Sequence, residues 1–389
     1  MLYLDAAATT PVRREVLEAM WPYLTQEFGN ASSHHEVGRR ALAGLDAARQ
    51  TVAEVLNCRP AEVVFTSGGT EADNLAVKGI ALARRDRDAS TSHVVTSAVE
   101  HHAVLDSARD LARWDGFEVT ELGVSPEGLV DPADLAGAVR PGTAVVSVMH
   151  ANNETGAVQA VAELAAVARA REVPFHTDAV QAAGSLELDV QGLDVAALSL
   201  AGHKIGAPKG VGALYVRRGT PLRPLMSGGG HERGRRSGTS NVAGAVGLAT
   251  ALRLSAEERP AKAVSLAALR DRLITGVLAE VPTALLTGPD PRVHPGSRLP
   301  GHASFCFPGV NGETVLVDLE SRGLLVSSGS ACSAGDTEPS HVLTAMGYPP
   351  EVATTAVRFT LSADVTPEQV DGIVAATRDV VGRLGSPHG

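Results

Sequence analysis

Between Ala61 and Val216, short runs rich in β-branched and aromatic residues recur with helix-like stretches between them. They are Glu62-Val63-Val64-Phe65-Thr66, His93-Val94-Val95-Thr96, Ala144-Val145-Val146-Ser147-Val148-Met149, Val173-Pro174-Phe175-His176, Ala196-Ala197-Leu198-Ser199-Leu200 and Gly212-Ala213-Leu214-Tyr215-Val216. Strands separated by helix-length connections build a mostly parallel sheet covered by helices, so the expected fold class is α/β. The polar, glycine-rich segments come just after these strands, where open α/β sheets place their ligand sites.

At 389 residues the chain suggests about two domains. A helical pattern meets a charged, proline-bearing stretch at Ser255-Ala256-Glu257-Glu258-Arg259-Pro260, which reads as a break and a domain junction. Beyond it, Leu286 to Gly301 carries four prolines and reads as a long surface loop. The strand-like Ala303-Ser304-Phe305-Cys306-Phe307, the helix-like Glu313 to Glu320 and the strand-like Val357-Arg358-Phe359-Thr360-Leu361 then form a smaller α+β unit. The expected division is a large domain over 14–258 and a small one over 1–13 and 259–389.

Composition narrows the function. An apolar share of 44% and a charged share of 20% exclude a disordered or fibrous chain. Aromatics at 3% leave little for base stacking, and a net charge of −10 opposes a polyanionic partner. The basic run from His231 to Arg236 is short and reads as solvated surface, so direct nucleic-acid binding is not expected. No run approaches the length of about eighteen apolar residues that a membrane span needs, and the amino terminus lacks a basic segment followed by an apolar one. With three cysteines, Cys58, Cys306 and Cys332, and no C-x-x-C pair, neither a disulfide framework nor a thiolate zinc site is indicated. A soluble cytoplasmic protein is the expectation.

Several segments could carry chemistry. Thr66-Ser67-Gly68-Gly69-Thr70-Glu71 joins a strand to a helix through two glycines, which suits a phosphate cradle at a helix start but equally suits an ordinary cap with a flexible turn. His203-Lys204 follows a buried run and is hemmed by glycines. Burial lowers a lysine pKa and makes the amine a Schiff-base former, as pyridoxal phosphate requires, although a surface lysine in a connecting loop fits the same pattern. Asp178 ends another strand, where an acid could keep a pyridine nitrogen protonated or merely cap a helix. Glu100-His101-His102 offers an imidazole that could stack on a flat ring or shuttle protons. No third ligand at metal spacing accompanies these histidines. Cys332 lies among small residues in Ser327-Ser328-Gly329-Ser330-Ala331-Cys332-Ser333-Ala334-Gly335-Asp336, a setting for a reactive thiol. Cys306, between two phenylalanines, and Cys58, at a helix end, read as packing residues.

The ordered set resembles the cysteine desulfurases of the NifS/IscS type, pyridoxal-phosphate enzymes of the class V aminotransferase group. The resemblance runs from Tyr3-Leu4-Asp5 through Thr9-Thr10-Pro11, Phe28-Gly29-Asn30, Ser67-Gly68-Gly69-Thr70-Glu71, Asn152-Asn153-Glu154-Thr155-Gly156, Gly202-His203-Lys204, Gly228 to Gly234 with Arg236-Ser237-Gly238-Thr239, and Ser328-Gly329-Ser330-Ala331-Cys332 to Arg358-Phe359. The spacing from Cys332 to Glu338-Pro339-Ser340 resembles the class with the long cysteine loop. The resemblance implies a fold-type I transferase with a seven-stranded, mostly parallel sheet, working as a homodimer. It implies that Lys204 holds the cofactor covalently and later moves the α-proton, that Asp178 pairs with the ring nitrogen, that Gln181 and Asn153 sit by the ring hydroxyl, and that His101 stacks over the ring. Gly69, Thr70 and His203 would hold the phosphate, with Thr239 reaching it from a neighbouring subunit. Arg358 would bind the carboxylate of L-cysteine, with Asn153 beside the substrate, and Cys332 would take its sulfur as a persulfide, leaving alanine.

Two departures stand out. The family usually has a serine two residues before the histidine of this motif, whereas Ala201 stands here and removes one phosphate hydrogen bond. The sequence also stops at Gly385-Ser386-Pro387-His388-Gly389, without the longer tail with which some members dock an iron–sulfur scaffold. The sulfur acceptor, an iron–sulfur scaffold or a tRNA or cofactor thiolation enzyme, is therefore open. The competing readings are a selenocysteine lyase or other pyridoxal-phosphate enzyme of the same fold, and a non-catalytic sulfur carrier that keeps the fold.

Overall fold

The computed structural model describes residues 1–329 and 338–385. In chain order the elements are β1 (Leu2–Tyr3), α1 (Arg14–Thr25), α2 (Glu36–Val55), β2 (Val63–Thr66), α3 (Gly69–Arg87), β3 (His93–Ser97), α4 (His102–Asp115), β4 (Glu118–Leu122), α5 (Pro132–Ala138) and β5 (Thr143–Ser147). They continue with α6 (Val161–Arg169), β6 (Phe175–Asp178), β7 (Ala197–Ala201), β8 (Gly212–Val216), α7 (Val242–Glu280), β9 (Leu285–Leu286), β10 (His302–Cys306), α8 (Gly312–Ser321), β11 (Leu324–Leu325), α9 (His341–Ala345), α10 (Pro350–Ala353), β12 (Ala356–Thr360) and α11 (Pro367–Leu384).

Seven strands form the main sheet in the order β2-β8-β7-β6-β5-β3-β4. The β7-β6, β6-β5, β5-β3 and β3-β4 pairs are parallel, and β8 runs antiparallel to both its neighbours. Successive residues feed opposite faces: Val95 and Val146 enter the core shared with α2 and α7, while Val94 and Val145 enter the one shared with α3 and α4. Because both faces are covered, the inner strands read as unbroken apolar runs rather than alternating ones. The edge strand β4 escapes that pattern. Glu118 and Glu121 lie exposed on it, and charge on an edge strand discourages pairing with another chain.

The smaller sheet places β10 between β9 and β12, all antiparallel. Phe305 and Phe359 pack there against Leu273 of α7 and Ile373 of α11, and Leu4 joins the same core, so the first residues of the chain are built into this unit.

The expected break at Ser255–Pro260 is not there. Pro260 lies inside α7, one helix of 39 residues, or roughly 58 Å. A proline in a helix interior costs about 3 kcal/mol through a lost hydrogen bond and a clash. Burial on both sides offsets it: Leu248 and Leu252 belong to the core under the large sheet, Leu269 and Leu273 to the core of the smaller one. The helix thus changes its packing partner along its length without a break. The stretch from Leu286 to Gly301 is likewise only partly a surface loop. Residues 292–296 are exposed, but Arg298 is buried and donates to the carbonyls of Pro289 (2.8 Å), Thr155 (2.6 Å) and Thr287. Among the described residues no helix is long and apolar enough to cross a membrane.

Candidate active site

Gly69, His101, Asn153, Asp178 and Lys204 lie at or just after the carboxyl ends of strands of the large sheet. After β2 the chain enters α3 at Gly69. A Cβ there would fall 2.7 Å from Cγ2 of Val180, so only glycine lets the helix start come this close to the segment after β6. Beside Gly68 the space is open, and the free amides that begin a 19-residue helix favour an anion there. Thr70 is exposed in this first turn. Glu71 braces it by accepting from the Ser67 amide (2.7 Å) and pairing with Arg236 (2.8 Å).

After β3, His101 caps α4, its Nδ1 accepting from the Ala103 amide at 3.1 Å. Burial pushes its pKa down, so the ring is neutral with its proton on Nε2. Glu100 beside it is wholly buried. Its carboxyl accepts from Ser97 Oγ (2.6 Å) and the Met149 amide (2.8 Å), and burial raises its pKa to about 8. It ties the end of β3 to the end of β5. In the turn after β5, Asn152 Oδ1 accepts from the amides of Glu154 and Thr155 while its Nδ2 donates to Val99, which commits this side chain to structure and leaves Asn153 half-buried beside it.

Asp178 ends β6 with 5% of its surface exposed, its Oδ1 accepting from the Val180 amide at 2.8 Å. Burial raises its pKa, and a positive charge on His101 or Lys204 lowers it, so these three groups lie within electrostatic reach of one another. After β7, the Lys204 ammonium donates to the carbonyls of Ala8 (2.8 Å) and Ala7, and Gln181 Nε2 also donates to Ala7 (3.0 Å). His203 meets Thr9 Oγ1 through Nδ1 at 3.2 Å, and burial, with Lys204 and Lys209 nearby, lowers its pKa to about 4. The Ala7–Thr10 strap over the lysine was not foreseen, because its contacts are backbone carbonyls; the only signal was the matched Thr9-Thr10-Pro11.

Arg358, on β12, is buried and held by the Asn153 carbonyl (2.9 Å) and by Asp5 Oδ1 (2.6 Å), while its Nε has no acceptor among the described residues. Asp5 is a second residue that the sequence motif contains but did not mark as part of the site. Thr239 is exposed and borders a cavity of about 120 Å³ with Ser67, Gly210 and Arg236. Cys332 lies outside the described residues.

The described groups fit pyridoxal phosphate. A carboxyl withdrawn from water suits a pyridine N–H, the neighbouring ammonium suits the aldehyde, and the open start of α3 suits a phosphate. Ala201 is buried where β7 ends, with its Cβ 3.4 Å from where a Gly69 Cβ would stand. Restoring a hydroxyl with Ala201→Ser is expected to tighten cofactor retention roughly fivefold, about one hydrogen bond, measured by dialysis against apo-enzyme; unchanged retention would refute a phosphate contact at this position.

The other two cysteines are chemically quiet. Burial raises the pKa values of both Cys58 and Cys306 to about 12. At pH 7 about one thiol in 10⁵ is ionised at each. Alkylation of the native protein followed by peptide mapping should modify Cys332 and leave Cys58 and Cys306 intact, and equal labelling of all three would contradict this.

Comparison with known proteins gives a consistent result. The aminotransferase class-V family model matches residues 2–373. The cysteine desulfurase IscS of Methanosarcina thermophila is 44% identical over 383 residues, covering 98% of this chain and 92% of the relative. A solved NifS-like protein superposes with a TM-score of 0.89 at 35% identity, over 98% of this chain and all of that one. A structure described as SspA in complex with cysteine superposes with a TM-score of 0.79 at 36% identity, over 93% and 99%. Sequence and fold agree along nearly the whole length, and the chain belongs to the class V aminotransferase family, among its IscS-type cysteine desulfurases.

Proposed function

We propose that this cysteine desulfurase, a pyridoxal-phosphate enzyme, moves the sulfur of L-cysteine onto Cys332. The observation that carries the reading is the meeting of Lys204, Asp178 and His101 at the ends of β7, β6 and β3. When bound at Lys204, the cofactor supplies an electron sink for charge developing at the substrate α-carbon.

Each residue has a part in this reading. Asp178, stripped of water, would hold the proton of the ring nitrogen. The Lys204 amine would hold the cofactor and move the α-proton, and His101 Nε2 would serve as a proton donor beside it. Gln181 and Asn153 would orient the ring hydroxyl, Gly69, Thr70 and His203 would take the phosphate, and Thr239 of a second subunit would complete that cradle. Arg358 binds the substrate carboxylate through its guanidinium fork. The Cys332 thiolate attacks the substrate sulfur: an S–S bond forms, the C–S bond breaks, and its electron pair with a proton leaves a methyl group. Cysteine and enzyme thiol thereby become alanine and enzyme persulfide, and an acceptor protein or an added dithiol reduces the persulfide.

Pairing of two copies is supported by the exposed Leu17, Trp21, Leu24 and Phe28 on and just after α1. A reducing, cytoplasmic setting is supported by the free thiols of Cys58 and Cys306. With L-cysteine and a dithiol reductant, alanine and sulfide should appear in equal amounts. Pyruvate and ammonia in place of alanine would mean β-elimination and overturn the reading.

A further inference from the structure

Glu154 is a buried acid to which neither the resemblance nor the reaction above gives a task. Its main chain is fixed on both sides, the amide donating to Asn152 Oδ1 (2.9 Å) and the carbonyl accepting from His302 Nε2 (3.0 Å). Its side chain, 4% of the residue being exposed, reaches the two described ends of the segment that carries Cys332. On the far side, Ser340 donates its hydroxyl to Glu154 Oε2 at 2.5 Å. That hydroxyl also accepts the Leu343 amide (3.1 Å) as the cap of α9, so its single proton is directed at the carboxyl. On the near side, Gly329 lies against the same oxygen: a Cβ there would come 2.8 Å from Oε2 and 3.2 Å from the Glu154 Cβ. Two residues earlier, Ser327 exchanges backbone bonds with Arg358. One carboxyl therefore packs against position 329 and accepts from position 340, next to Asn153 and within electrostatic range of Arg358.

We propose that Glu154 is the positioning residue for sulfur transfer: by holding Gly329 and Ser340 together, it fixes where the segment bearing Cys332 leaves the body of the protein. The inference rests on Cys332 being the sulfur carrier. Cys332 lies between Gly329 and Ser340 in the sequence, so these two positions are the points at which the segment that carries the thiol is attached. Misplacement of a reacting group by about 1 Å can lower a rate about 10²-fold.

The test separates binding from transfer on the full-length holoenzyme. Glu154→Ala, Ser340→Ala and Gly329→Ala are each expected to lower sulfide release and single-turnover persulfide yield 10- to 100-fold, as such a misplacement predicts. The cofactor absorbance and its response to added cysteine should keep the wild-type concentration dependence. Glu154→Gln, whose amide oxygen still accepts from Ser340, should recover to within about threefold. If Glu154→Ala does not fold, the Ser340 and Gly329 variants decide the matter. The inference is overturned if the variants release sulfide at the wild-type rate, or if cysteine binding weakens as much as transfer. Cys332→Ala, run in parallel, distinguishes the premise: if it keeps the wild-type rate, the sulfur-carrier reading fails first and the anchor with it. If it is inactive while Glu154→Ala is active, the anchor alone fails.

Discussion

Lys204→Ala is expected to abolish alanine and sulfide formation, lowering turnover roughly 10⁴-fold or more, in a protein that still folds. The size follows from the two tasks of one amine, covalent attachment of the cofactor and transfer of the α-proton, for which the described surroundings hold no substitute. His101 has a pKa lowered by burial and is engaged at Nδ1 by a backbone amide, and His203 is held near 4. Folding should survive because Lys204 is half-buried and donates to the carbonyls of Ala7 and Ala8, which water can satisfy. The purified variant should also lack the visible absorbance of the covalently held cofactor. Turnover within tenfold of wild type would refute the assignment.

The second large effect separates the desulfurase from its nearest competitors. Cys332→Ala should lower sulfide release from L-cysteine about 10³-fold or more while cofactor absorbance and its response to cysteine persist, because the substitution removes the nucleophile and leaves the cofactor site untouched. Neither remaining cysteine can stand in, since burial holds both pKa values at about 12 and Cys306 lies inside β10. Selenocysteine is the informative second substrate. If Cys332→Ala consumes it at the wild-type rate while also keeping its rate with cysteine, the reaction needs no persulfide and a lyase is the better description. A colourless wild-type protein, even after addition of pyridoxal phosphate, would instead favour a non-catalytic carrier.

Particular residues show how far the chain alone was readable. The inner strands were legible because sheets covered on both faces need continuous apolar runs, as at Thr143–Ser147 and Ala197–Ala201. Strand β4 was not, because Glu118 and Glu121 mask an edge. Pro260 reads as a break in any local view, and only packing of α7 against two cores explains its place inside a helix. In the site, Lys204, Asp178 and His101 stood out as candidates from type and position, and Arg358 through the resemblance alone. The supporting contacts were not. Ala7 and Ala8 act through carbonyls, Asp5 lies 353 positions from the arginine it pairs with, and Glu154 meets Ser340 across 186 positions. Such pairs depend on tertiary structure and leave no local trace.

The most direct test of the central claim follows the sulfur atom itself. The wild-type holoenzyme is given sulfur-labelled L-cysteine without reductant, alkylated, digested and mapped by mass spectrometry. The expected result is one labelled persulfide sulfur on the peptide containing Cys332, with alanine formed in equal amount. Alanine formed with no sulfur on Cys332, or label found on Cys58 or Cys306 instead, would contradict it.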